Sequence, residues 1–97
     1  MLSLKSAQDY ASDIAMTVKA LRKNQRMTQA ELAKRTGVSL GSLRRFEQGG
    51  DIAFSSLLQI MIVLGVAEAW VKAAVDHEPE FQTIDDVIAA NKRMESR

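Results

Sequence analysis

Between Thr28 and Gly50 the sequence leaves the backbone little freedom. Thr28-Gln29-Ala30-Glu31 is a capping box, in which the threonine hydroxyl takes up one end amide of a helix and Glu31 reaches back to another. The helix it starts stops at Gly37, Ser39 is a second good N-cap, and Gly49 ends the helix that follows. Two short helices, 29–36 and 40–48, are thus joined by a tight turn. Leu32 and Ala33 face inward from the first, Val38 plugs the turn, and Leu43 and Phe46 face inward from the second. Small Ala33 lets the second helix approach closely, and Gly37 permits the positive φ that so sharp a turn needs. Ala33, Gly37, Leu43 and Phe46 follow one another at spacings of four, six and three.

The rest of the chain reads as helix too, because no useful period-two alternation is present. A first helix starts near Ser6 or Ser12 and runs to about Asn24, with Ile14, Val18 and Leu21 on one face. Lys19, Arg22, Lys23 and Arg26 crowd its end, where the helix dipole favours cations. A fourth helix runs from about Ser55 to Leu64, closed by Gly65, and a fifth from about Val66 to Val75. Pro79 lies in the acidic stretch Asp76-His77-Glu78-Pro79-Glu80, which reads as a linker. Beyond it, Thr83 to Met94 suits a short sixth helix, and its far end, Lys92 to Arg97, is not expected to be ordered. The division expected is a domain over 1–75, with its two-helix motif at about 28–48, and an acidic linker and C-terminal tail over 76–97 that is a short helix or a partner-docking segment.

Several function classes drop out. With no cysteine, disulfides, thiolate metal sites and cysteine nucleophiles are excluded. His77 sits in the linker, and no nucleophile has a base at a recognisable spacing, so no catalytic residue and no enzyme activity are expected. The acidic residues Asp76, Glu78, Glu80, Asp85 and Asp86 lack calcium-loop spacing, so neither a metal nor a cofactor is expected. The apolar run Ile60 to Ala67 is far short of a bilayer span, and Met1 to Asp13 lacks the apolar stretch of a signal peptide, so the expectation is a cytoplasmic protein without a membrane partner.

Charge is unevenly placed. The total is +1, but residues 1–50 carry nine Lys and Arg against four Asp and Glu, a net +5, while residues 51–97 carry four against eight, a net −4. Between Lys19 and Arg45 stand eight cations with only Glu31 opposing them. Such asymmetry points to a basic working face and a separate acidic part. The spacings in the two-helix motif are those of a DNA-binding helix-turn-helix, and the residues exposed between its core positions are basic or small and polar, as a helix entering the major groove needs.

The strings Thr28-Gln29-Ala30-Glu31-Leu32-Ala33, Thr36-Gly37-Val38-Ser39 and Leu43-Arg44-Arg45-Phe46-Glu47-Gln48-Gly49 resemble the λ-repressor-like, XRE-type helix-turn-helix family. The resemblance covers about residues 14–75, including Leu57-Leu58 and the Leu64-Gly65-Val66 junction. It implies an all-α, compact five-helix DNA-binding domain, here with a short C-terminal extension. It also implies that the start of the third helix and the turn after it read bases, which places Leu40, Gly41, Ser42 and Arg45 at base edges and Arg44 at a base or a phosphate. Arg45 suits guanine O6 and N7 bidentately, and Leu40 a thymine methyl. Gly41 departs from the long polar residues common here; it either allows close backbone approach or leaves fewer base contacts. Ser39 caps its helix and is placed to touch a phosphate. Gln29 matches a family glutamine that touches a phosphate and steadies the third helix. Arg22 and Glu47 match a family ion pair. Lys23, Arg26, Lys34 and Arg35 are each either a phosphate contact or a solvated surface cation.

The fourth helix is apolar nearly all round, more than one core face requires, so its extra face is expected to meet a second subunit or the C-terminal segment. Trp70, Val71, Ala74 and Val75 are candidate dimer contacts, with Trp70 equally readable as core. Phe81, Thr83, Ile84, Val87 and Ile88 form an apolar patch that folds back or docks on a partner. Dimers place two recognition helices about 34 Å apart on a near-palindromic site, so a homodimer on a double-stranded operator is expected. Within the family, Leu43-Arg44-Arg45-Phe46-Glu47, Phe54-Ser55-Ser56-Leu57-Leu58 and the tail with Thr83-Ile84-Asp85-Asp86 resemble HipB-like antitoxins, which implies a repressor of its own operon with a HipA-type kinase toxin as partner. Two other readings stand beside it: a phage-type or restriction-controller regulator without a toxin, and an interaction module that mainly neutralises a partner through its C-terminal half.

Overall fold

A computed structural model of the chain describes residues 4–77 and 84–95. The described residues hold six helices and no strand: α1 (Ala7–Asn24), α2 (Gln29–Thr36), α3 (Leu40–Gly49), α4 (Phe54–Leu64), α5 (Ala67–Asp76) and α6 (Ile84–Glu95). The all-α class expected from the sequence therefore holds, with six helices where the family resemblance implied five.

Local chemistry explains where each helix begins. Of the two candidate serines, Ser6 is the cap of α1: its hydroxyl accepts from the Asp9 amide at 3.1 Å, and the Asp9 carboxylate accepts from the Ser6 amide at 2.9 Å. Thr28 and Glu31 form the same reciprocal pair at the start of α2. Ser39 starts α3 by accepting from the Ser42 amide at 3.1 Å. The α2–α3 turn uses Gly37 at φ +75°, and the Thr36 hydroxyl locks it by donating to the Leu32 carbonyl and accepting from the Val38 amide.

Three bounds differ from the sequence expectation. Helix α4 starts at Phe54, one residue early, because exposed Phe54 can adopt helical backbone without entering the core. Helix α5 runs on to Asp76, into the expected linker. Helix α6 continues through Lys92 and Arg93 to Glu95, where order was not expected; these two cations sit in its last turn, where they favour the dipole. Residues 78–83, and with them Phe81 and Thr83, lie outside the described residues.

The helices fall into two units, Met1–Gly65 and Val66–Arg97. In the first, α1 packs on α3 and α4, and α2 packs on the same two helices. Phe46, Leu32, Leu43, Ile60 and Val18 are fully buried there. On α1 it is Ala15, Val18 and Arg22 that are buried, with Ile14 and Leu21 half-buried at the margin. The first unit is also pinned by polar contacts between distant segments. Gln8 donates to the Gly49 carbonyl, and Gln25 donates to the Leu64 carbonyl at 2.9 Å. Gly50, at φ +79°, lies so close to α1 that a Cβ there would stand 2.7 Å from the Ala11 carbonyl group. In the second unit Val75 is buried, Trp70 half-buried, and Val71 and Ala74 exposed. Val75 therefore has its apolar surface already covered, unlike Val71 and Ala74.

Candidate nucleic-acid interface

Helix α3 is braced from beneath by a buried polar cluster. The Arg22 guanidinium donates from Nε to Glu47 Oε2 at 2.8 Å and from Nη2 to Glu47 Oε1 at 2.9 Å. Its remaining Nη1 donates to the Met27 carbonyl at 2.8 Å. Gln29 Nε2 donates to Glu47 Oε1 at 3.0 Å. One carboxylate on α3 is thus held from α1 and from the first residue of α2 together. Among the described residues no buried side-chain nitrogen or oxygen is left without a partner, which removes the main penalty of burying charge.

The opposite side of α3 is open. Ser39, Gly41, Arg44, Arg45 and Gln48 are exposed, while Leu40 and Ser42 are half-buried. Arg45 Nη2 donates to Ser42 Oγ at 3.3 Å, and Ser39 Oγ donates to Ser42 Oγ at 2.8 Å. A Cβ on Gly41 would lie 3.9 Å from Arg45 Nη1, so the guanidinium runs over the space that glycine leaves. The structure therefore brings Ser39, Gly41, Ser42 and Arg45 into one polar strip along the outer face of α3. This arm is pre-positioned but not committed, because the contact to Ser42 is long and exposed.

Beside this strip is a cavity of about 340 Å³, lined by Ser42, Arg45, Asp51, Ile52, Ala53 and Ser56. It includes the start of α4, whose N-cap Ala53 offers no side-chain acceptor to the first-turn amides. Arg45 borders both the strip and the cavity, so it can serve either.

The candidate phosphate contacts lie around these elements. Lys23 and Arg26 follow one another at the end of α1, and Lys34 and Arg35 lie in the last turn of α2. All four are exposed, and among the described residues no carboxylate pairs with them or with Arg44. Arg26 adopts φ +58°, the one described non-glycine residue with positive φ. That left-handed turn carries the chain on to Met27, whose carbonyl receives Arg22. Gln29 keeps a second Nε2 hydrogen after serving Glu47, so one amide group can hold α3 and still donate outward.

A family model described as helix-turn-helix matches residues 18–71, more than half of the chain. This protein belongs to the λ-repressor-like, XRE-type helix-turn-helix family. Comparison with curated proteins and with solved structures finds no match. As a helix-turn-helix protein of this type it is a DNA-binding transcription regulator. The matched span begins inside α1 and ends inside α5, so it takes in both Arg22 and Glu47 and the whole exposed face of α3. Among the described residues no cluster of metal-ligating side chains occurs, and no single helix is long and apolar enough to cross a membrane.

Sequence reasoning on this helix-turn-helix protein missed three contributors. The Thr36 hydroxyl latch had a signal, since threonine before a turn glycine can bond back to the helix. The contact from Arg45 to Ser42 had one too, at i to i−3 on a helix. The Met27 carbonyl as a third partner of Arg22 had none.

Proposed function

We propose that this helix-turn-helix protein is a repressor that binds a near-palindromic operator as a homodimer, through α3 in the major groove. The observation that carries the reading is the polar strip of Ser39, Gly41, Ser42 and Arg45 on a helix whose inner face is fixed by Arg22, Gln29 and Glu47. A reading head must be stiff beneath and free above, because misplacing a bidentate donor by an ångström loses its selectivity. Arg45 is the principal base-reading residue in this proposal, with Gly41 leaving its guanidinium room. Leu40 contacts a thymine methyl, and Arg44, Lys23, Arg26 and Lys34 neutralise phosphates. Gln29 donates its remaining amide hydrogen to a phosphate, and Ser39 donates its hydroxyl there by turning it away from Ser42. Val71, Ala74 and Trp70 contribute to the dimer. No catalytic step is assigned to the chain, which works in the cytoplasm.

The finer proposal is an antitoxin of the HipB-like kind that represses its own operon and takes a HipA-type kinase toxin as partner. It rests on the resemblance of residues 43–47, 54–58 and 83–86 to that subgroup. The deciding experiment is footprinting of the purified protein on the DNA upstream of its own gene, with and without the product of the neighbouring gene. A protected near-palindrome that tightens when the neighbour is added is the expected result. Protection that ignores the neighbour leaves a toxin-free regulator, and no protection overturns the operator reading.

A further inference from the structure

The carboxylate side chains up to Gly65 and just beyond α3 are Asp9, Asp13, Glu31, Glu47 and Asp51. Four of them hold the first unit together. Asp9 and Glu31 each accept from the N-cap amide of a helix, Asp13 pairs with Lys5, and Glu47 receives Arg22 and Gln29. Asp51 is exposed and has neither a hydrogen bond nor an ion pair among the described residues. It lines the cavity beside the outer strip of α3, as Arg45 does. A free carboxylate on a face that approaches phosphates weakens binding to every DNA sequence, so its place there asks for a use.

The backbone on either side of Asp51 is anchored. Gly50 is seated on Ala11, and Ile52 is half-buried. On the other border of the cavity, Arg45 has a single hydrogen bond, the 3.3 Å contact from Nη2 to Ser42 Oγ. A guanidinium carries five N–H donors, and two of them suffice for guanine O6 and N7. The others also lose water when α3 enters the groove, and each one left without an acceptor costs free energy. Two kinds of acceptor are at hand. A DNA phosphate would draw Arg45 off the base, whereas a carboxylate on the cavity side leaves the base-facing edge where it is.

We infer that Asp51 is a positioning residue for base reading: in the DNA complex it accepts from the cavity-side N–H groups of Arg45 and so keeps that guanidinium on a base instead of a phosphate. This rests on Arg45 as a base-reading residue. Without DNA the two side chains stay solvated and unpaired, since exposed charges gain little by pairing. The contact closes once the groove excludes water.

The test is binding-site selection by the full chain from random-sequence duplexes, followed by salt titration on one duplex that the selection rejects. Asp51→Asn removes the charge and keeps the shape, so its unfolding midpoint should match that of the unmodified protein. Its discrimination at the base pair read by Arg45 should fall about fivefold. On the rejected duplex its salt slope should steepen by about one unit, as Arg45 turns to a phosphate. In an Arg45→Ala background, Asp51→Asn should leave both quantities as Arg45→Ala alone sets them. Effects of the same size with and without Arg45 overturn the proposal, because Asp51 then acts on the DNA by itself, as a repelling charge or as a reader of another base. Unaltered selection by Asp51→Asn overturns it too. If Arg45→Ala alone relaxes no position, the base-reading role of Arg45 fails and that of Asp51 with it, whereas a failure confined to Asp51→Asn leaves Arg45 standing.

Discussion

Arg22 and Glu47 face each other through two near-parallel hydrogen bonds, of 2.8 and 2.9 Å, with side chains only 8% and 2% exposed. The two residues are 25 apart in sequence, so the pair fastens the second half of α1 to the reading helix α3. Removing one partner strands the other in the interior. Arg22→Met or Glu47→Gln alone should therefore cost about 3–5 kcal/mol in denaturant unfolding. Replacing both with apolar residues of similar volume should recover most of that loss, while Gln29 loses its acceptor. If the double variant is as unstable as the sum of the singles, the pair is not one buried unit.

Arg45 is the residue on which specificity turns. Arg45→Ala should lower operator affinity by about 1–3 kcal/mol and relax preference at one base position in a binding-site selection. A uniform fall on every sequence would make Arg45 a phosphate contact by way of the cavity it borders.

Lys34 has no carboxylate partner among the described residues and lies in the last turn of α2. Lys34→Ala should reduce the slope of log affinity against log salt by about one unit, leaving base preference intact. A slope identical to that of the unmodified protein would return Lys34 to the solvated surface.

Gly37 and Gly50 share a left-handed backbone but not a neighbourhood. Nothing lies within 4 Å of a Cβ built on Gly37, so Gly37→Ala should cost only the backbone strain, about 1–2 kcal/mol. On Gly50 the added carbon meets the Ala11 backbone at 2.7 Å. Gly50→Ala should thus be clearly worse, by roughly a further 1–3 kcal/mol as α1 and the end of α3 are forced apart. Equal thermal shifts for the two variants would contradict the close approach.

Asp9 is held below its ordinary carboxylate range by the hydrogen bonds it receives from Ser6, first from the backbone amide and then from the side chain. Its folded pKa lies under the unfolded value of 3.8, so its contribution is full well above that value and is lost as pH falls below it. The first turn of α1 should fray on acidification in that window. Ser6→Ala should move the Asp9 titration, followed by NMR, back towards 3.8.

What could be read from the sequence was mostly what neighbours decide among themselves. Thr28 with Glu31, Gly37 after Thr36, and Ser39 before its helix each obey rules spanning three or four residues. The start of α1 obeys one as well: Ser6 has Asp9 three places on, whereas Ser12 has only Ala15, and that comparison separates the two candidates. Contacts across the fold carry no such signature. The bond from Gln8 to the Gly49 carbonyl spans 41 residues and uses a backbone atom that every residue possesses. Gln25 reaching the Leu64 carbonyl is hidden for the same reason. The pairing of Arg22 with Glu47 came into view only through the family resemblance. Helical spacing put Val71, Ala74 and Val75 on one apolar helix, but it cannot say which of them is covered, and Val75 alone is.

The close seat of Gly50 against Ala11, joined by the hold of Gln8 on the Gly49 carbonyl, has a consequence for how such a regulator changes its target. With its far end clamped there, its last turn fastened at Glu47 and Leu43 and Phe46 buried along its inner face, α3 has no inexpensive way to tilt or slide towards a different operator. New specificities must come by exchanging the letters on its outer edge, at positions such as Gly41, Ser42 and Arg45, where substitution disturbs nothing beneath. The platform is conservative so that its inscription can be rewritten.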